Sequence, residues 1–217
     1  MQGAKCERLK VDDRGVVNDR LYALSNPQGN IASGKNTRRF RKIDGLFSLI
    51  GKLTDDGVAV EFPDGLILKH KHKNLNTKLS QTLGQVVSVT KEAEISHFDD
   101  GAIHILTSSS ITKLQKALPN SNIDERRFRA NIIIDLPADL SDDDLIGKII
   151  NIDDVKLKIT HKTQRCRMVT LEQGDLNYKP EILKEIYSEY GLDFGIYACV
   201  ISPGTITLNS VVTLESD

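Results

Sequence analysis

Apolar residues along this chain gather in short β-branched runs, many of them alternating with polar positions, that stop at Gly, Asp or Pro. The runs are "DGVAVEF" (56–62), "GLILKHKHKN" (65–74), "GQVVSVTKEAEISHF" (84–98), "ANIIIDL" (130–136), "GKIINIDDVKLKITHK" (147–162) and "YACVISPGTITLNSVVTLE" (197–215). Runs of this kind predict strands. Two stretches carry a helical period instead. "TSSSITKLQKAL" (107–118) offers hydroxyl caps, then Ile111, Leu114 and Leu118 at spacings of three and four. "KPEILKEIYSEYG" (179–191) puts Pro180 near the first helical position and Ile182, Leu183, Ile186, Tyr187 and Tyr190 on one stripe, ending at Gly191. The pattern predicts a mainly β protein with peripheral helices. A barrel is the favoured form, because closing a sheet removes its edges. A boundary is expected at residues 75–90, where "NLNTKLSQTLGQ" is polar and turn-rich. That divides the chain into a smaller part, 1–80, and a core part, 81–217.

At 217 residues the chain can bury a real core. Its 29 basic and 30 acidic residues leave no global field drawing it to nucleic acid or membrane. Only 11 aromatics (6 Phe, 5 Tyr, no Trp) also argue against a nucleic-acid stacking platform. No apolar run approaches the roughly 20 residues that span a bilayer, and "MQGAKCERLK" lacks a signal-peptide core. Three cysteines, Cys6, Cys166 and Cys199, make neither a CxxC pair nor a disulfide ladder, which suits a reducing, cytoplasmic setting.

Basic residues cluster at 34–42 ("GKNTRRFRK"), at 124–135 ("DERRFRANIIID") and around Cys166 ("TQRCRM"). The first reads best as a solvated face. Arg129 runs straight into an apolar strand, where a charge needs an acid or a bound anion. Guanidinium forks suit phosphate oxygens. "KHKHK" sets His70 and His72 two apart on an expected strand; two imidazoles can bind metal, but the flanking lysines favour solvent. Cys166 has two readings, a small buried hydrophobe or a thiol whose flanking arginines favour the thiolate. An anionic metal cofactor, held by arginines and tethered by one cysteine, satisfies both the thiol and the basic clusters.

The ordered motifs "VVNDRLYAL" (16–24), "GAIHILTSSSITKLQ" (101–115), "RRFRANIIID" (126–135), "TQRCRMVTL" (163–171) and "FGIYACVISPGTITLNSVVTL" (194–214) resemble the MOSC family. These domains are related to the C-terminal part of molybdenum cofactor sulfurases and include the amidoxime-reducing components. The resemblance covers nearly the whole chain and implies a MOSC-type β-barrel core with a smaller N-terminal β subdomain. It implies molybdenum ligation by Cys166, within a molybdopterin cofactor. It further implies cofactor contacts from Arg20, Arg129, Gln164 and Arg165, with hydroxyls from Thr107 and Ser110 at a helix start and a less defined role for Thr170. Departures are Asn18 where the family has glycine, Ala130 in place of proline, and Asn209–Ser210 in the last turn. Longer members open with a strand carrying a Lys-Ser pair. Here Met1 falls where that strand ends, so the N-terminal subdomain is expected to be truncated, with an edge that invites a homodimer.

The resemblance implies an oxidoreductase that reduces N-oxygenated small substrates and draws electrons from a separate electron-transfer protein or reductase. The alternative is a carrier of the cofactor, or of sulfur as a Cys166 persulfide. A barrel that has lost its site is the third class. Pyridoxal phosphate is not expected, since no aminotransferase-like domain is present.

Overall fold

A computed structural model describes residues 5–54, 57–137 and 140–215. The chain forms two compact units: one of Asn18–Asp99 with Leu171–Asn177, the other of Lys5–Val17, Asp100–Thr170 and Tyr178–Asp217.

The second unit begins with a hairpin, β1 (Arg8–Asp12) and β2 (Gly15–Val16). Asp12 Oδ1 accepts from the amides of Arg14 and Gly15 and so closes the turn.

The first unit follows with β3 (Tyr22–Ser25), β4 (Ile31–Ser33), β5 (Phe40–Lys42), β6 (Ile50–Thr54), β7 (Gly57–Glu61), β8 (Ile67–Lys69), α1 (Leu75–Leu83) and β9 (Ser88–Lys91). Its sheets run β5-β4-β3-β9 and β6-β7-β8. Sequence alone presents residues 74–85 as a turn-rich boundary; the structure makes most of them a helix. Leu75, Leu79 and Leu83, four apart, are buried in this unit's core with Leu49 and Phe62. The polar residues that hid the helix are occupied with its neighbours: Asn76 Oδ1 accepts from the Val89 amide and Ser80 Oγ from the Val87 amide.

Strand β8 also stops earlier than its pattern predicts, at Lys69, so His70 and His72 share a turn and not a strand face. His72 Nδ1 accepts from the Asn74 amide at 3.2 Å, and the His70 ring tilts against Tyr22 at 5.2 Å. The 34–42 cluster is more than a solvated face. Lys35 pairs with Asp99, and Arg39 donates to the carbonyls of Ser96 and Phe98.

The second unit resumes with β10 (Ile103–Thr107), α2 (Ser108–Ala117), β11 (Ile132–Ile134), β12 (Ile149–Ile152), β13 (Val155–Gln164), α3 (Pro180–Tyr190), β14 (Asp193–Ser202), β15 (Gly204–Thr207) and β16 (Val212–Leu214). A six-stranded sheet in the order β11-β10-β14-β13-β12-β16 curls as a half-barrel, beside a three-stranded sheet β15-β1-β2. Only β10 and β11 pair parallel in the large sheet, and α2 lies in the crossover between them. Every residue of β10 is buried, as expected of a strand covered on both faces. One core gathers Ile103, Ile105, Ile150, Leu157 and Ile196; another joins α2 and α3 through Leu114, Phe128, Ile182, Ile186 and Phe194. The mainly β fold with peripheral helices thus follows the apolar pattern.

Candidate functional site

Strands β10 and β13 run in the same direction, each antiparallel to β14 between them. Ile105, Ile196 and Lys162 lie in one row across the three strands. Toward the carboxyl ends of β10 and β13 come Thr107 and Gln164, the latter shifted to pair with Asp193 by an irregularity after Lys162. At that end β13 breaks into the turn that carries Cys166.

Val155, Leu157 and Ile159 of β13 are buried in alternation; the set is interrupted at His161, where the register shifts, and resumes with Thr163 near the strand's end and Arg165 just past it. The Arg165 amide donates to the Leu192 carbonyl at 2.8 Å, which fixes where the side chain starts. Arg165 is 9% exposed. Nη2 donates to the Phe128 carbonyl at 2.7 Å, Nη1 donates to His104 Nε2 at 3.2 Å, and Cζ stands 5.5 Å from the Phe128 ring centre. Among the described residues no carboxylate pairs with it. Burial therefore pushes the guanidinium down to about 10, against the opposing pull of Tyr197 and Cys166. Arginine can only donate, so His104 Nε2 is the acceptor and a neutral ring carries its proton on Nδ1.

His104 is itself held in place. Its amide donates to Asn131 Oδ1 at 2.9 Å and its carbonyl accepts from the Asn131 amide at 2.8 Å. Gly195 leaves room for the ring: a Cβ there would stand 2.7 Å from His104 Nε2, and its φ of +92° also favours glycine. Asn131 belongs to the "FRAN" motif and Gly195 to "FGIY", and neither was singled out by sequence. The isolated imidazole in an apolar run, "GAIHILT", was the signal available for His104.

Cys166 follows Arg165 directly and is half-buried. Its carbonyl accepts from the Val169 amide as the chain enters a 3-10 turn, Arg167–Thr170. Thr170 closes that turn: it is buried, and its Oγ1 donates to the Arg167 carbonyl at 2.8 Å. Gln164 is exposed at the strand end. A second 3-10 turn, Glu125–Phe128, packs against the first and ends at Arg129, which takes a left-handed φ of 57° and is half-buried. Arg165, Cys166, Thr170 and Arg129 are thus gathered on two adjoining turns. Arg127 is buried nearby; burial lowers its guanidinium, and Asp124 and Glu181 oppose the effect.

Thr107 and Ser110 lie at the start of α2, but an internal carboxylate meets them there. Thr107 Oγ1 accepts from the Ser110 amide as N-cap and donates to Asp142 Oδ1 at 2.8 Å, while Ser110 Oγ donates to the same carboxylate at 3.3 Å. Arg20 belongs to the other unit. There its guanidinium pairs with Asp19 and lies 5.9 Å from the Phe98 ring, and its carbonyl meets His97 Nδ1 at 2.9 Å.

Chemically, the turns offer one accessible thiol beside a buried cation. The buried Thr163 Oγ1 has no hydrogen-bond partner among the described residues. Among those residues no group of three or more His, Cys, Asp or Glu side chains could hold a metal ion, so a metal at Cys166 must bring its other ligands.

The sequence profile of the MOSC domain matches residues 92–213. The chain belongs to the MOSC domain family. Molybdenum cofactor sulfurase of Drosophila erecta is 30% identical over 131 residues, 59% of this chain and 16% of that protein. The Drosophila yakuba sulfurase is 29% identical over 158 residues, 71% of this chain. The alignments span 16% and 19% of those relatives' lengths. Among solved structures, the YuaD protein from Bacillus subtilis superposes with a TM-score of 0.47 at 13% identity, covering 98% of this chain and 86% of that one. Within the MOSC framework, two departures gain a backbone reason. Asn18 and Asn209 both sit at a φ of 67°, the left-handed region that glycine favours and asparagine tolerates. Among the described residues no helix is long and apolar enough to cross a membrane.

Proposed function

We propose that this MOSC domain binds the molybdenum cofactor with Cys166 as the protein's metal ligand. One observation carries the reading: a buried guanidinium with no carboxylate partner among the described residues, Arg165, is followed at once by a half-buried thiol. A buried cation without an acid is an open position for an anion. A lone thiolate suits a soft metal that arrives with other ligands. The residues therefore fit an anionic, sulfur-rich metal cofactor. Arg165 would balance its charge, Cys166 would anchor its metal, and Arg129 and Gln164 would contact it from the adjoining turn and strand end. His104 and Asn131 act through Arg165, holding its fork in one orientation.

The finer proposal is reduction of an N-oxygenated small molecule. The bound metal supplies two-electron oxygen-atom exchange; the overall change takes two electrons and two protons and releases the reduced nitrogen compound and water. Electrons come from a separate redox protein. The chain's own part is to keep a buried cation beside the reacting anion.

The relatives' name, molybdenum cofactor sulfurase, supports a second reading, in which Cys166 carries sulfur as a persulfide or hands on the cofactor. Cofactor-loaded protein and reduced viologen should consume benzamidoxime, and Cys166→Ser should abolish turnover. Loaded protein without turnover but with cyanide-releasable sulfur on Cys166 establishes the carrier instead.

A further inference from the structure

The turn that follows Cys166 contributes to a separate feature. An open cleft of about 380 Å³ lies beside α3, its floor made by Leu183 and Leu192 and its rim by Tyr178, Tyr187, Arg167 and Lys184. Tyr178 is 56% exposed and Tyr187 67%, two large rings on the rim of one cleft. Among the described residues neither rim cation has an ion-pair or hydrogen-bond partner, and neither tyrosine hydroxyl has one. The lining includes no acidic residue. Leu192 adds a second, independent observation. It takes a φ of 78°, a conformation costly for a leucine, just after Gly191 at the end of α3. The turn is held by its backbone, the Leu192 amide donating to the Ile186 carbonyl and its carbonyl accepting from the Arg165 amide, and the leucine side chain lines the cleft.

We propose that this cleft binds a small amphipathic anion, a flat apolar body carrying a carboxylate or similar group. Leu183, Leu192 and the tyrosine rings would cover the body, and Arg167 and Lys184 would face the charge. The volume falls in the lower range of small-molecule sites. The site does not depend on Cys166 holding a metal, so it stands or falls apart from the cofactor reading.

Titrating the full chain at pH 7.5 with 4-phenylbutyrate, 4-phenylbutan-1-ol and 4-phenylbutan-1-amine, read by amide NMR, separates apolar from charge contributions. Shifts are expected at residues 167–171 and 178–192. The acid should bind roughly 3- to 10-fold tighter than the alcohol at low salt, with the amine weakest. The Arg167→Gln/Lys184→Gln pair, both exposed residues, should bring the acid to the alcohol's affinity. Tyr178→Ala/Tyr187→Ala should weaken all three roughly tenfold. Leu192→Gly should lose affinity while its melting temperature holds or rises; a purely structural leucine would lose stability instead. Cys166→Ser should bind the acid as the wild type does. Equal affinity for the three probes, or shifts confined to other regions, overturns the proposal.

Discussion

Replacing Arg165 with methionine removes a buried cation while keeping an unbranched apolar stem. Lowering a guanidinium from its ordinary value to about 10 corresponds to about 3 kcal/mol of desolvation in the folded protein. Against that relief, the variant leaves the Phe128 carbonyl and His104 Nε2 without their donor, at roughly 1–3 kcal/mol for each buried acceptor. The two effects nearly cancel. Arg165→Met without cofactor should therefore unfold in urea within about 2 kcal/mol of wild type at pH 7.5. The pH dependence identifies the cause. Because the folded value lies below the unfolded one, the native state holds this proton less tightly. The penalty is whole well below pH 10 and fades as pH rises above about 10. From the guanidinium alone, wild type should gain on the variant by about 0.8 kcal/mol between pH 8 and pH 10.5. A loss above about 4 kcal/mol at pH 7.5, with no relative gain at high pH, would refute the reasoning: Arg165 would then be a compensated structural anchor, and not an open cation.

Three further outcomes follow from the site's supports. Gly195→Ala forces a methyl group against His104 Nε2, Leu106 Cδ2 and the Ile105 carbonyl, all within 2.9 Å, so stability should fall by roughly 2–4 kcal/mol in denaturant titration. Asn131→Ala removes the acceptor for the His104 amide and should cost about 1–2 kcal/mol, with the His104 ring signal moving in NMR. Asp142→Ala removes the carboxylate at the start of α2 and should cost about 1–2 kcal/mol in denaturant titration.

Much of the fold was legible because its strands and two of its helices alternate or repeat cleanly. α3 begins at Pro180 and ends before Gly191, as its caps require. α1 was not legible, since its three core leucines are separated by asparagine, threonine, serine and glutamine, several of which bond to the strand that follows. The lysines and histidines after β8 extended its apparent length, although a turn at His70 ends it. For the site, the arginines around Cys166 and the "FR" motif marked the right turns. They did not show that Arg165 is the buried one and Arg167 the exposed one; that depends on two register shifts in the second half of β13, which a regular alternation does not foretell. The hydroxyls at the start of α2 were legible as an anion position, but not that Asp142, more than thirty residues on, would supply the anion. His104 was hidden because an imidazole among isoleucines looks like packing until the arginine that needs it is in view.

The central claim is that Cys166 is the protein's anchor for a molybdenum cofactor, and metal content tests it most directly. Wild type, Cys166→Ser and Cys199→Ser would be expressed in a host that makes the cofactor, purified without added metal, and assayed by mass spectrometry for molybdenum per chain. The account predicts near-stoichiometric molybdenum in wild type and in Cys199→Ser, whose residue is exposed on β14, and loss of most of it in Cys166→Ser. Folded wild type without molybdenum, or a Cys166→Ser variant that keeps it, would contradict the account.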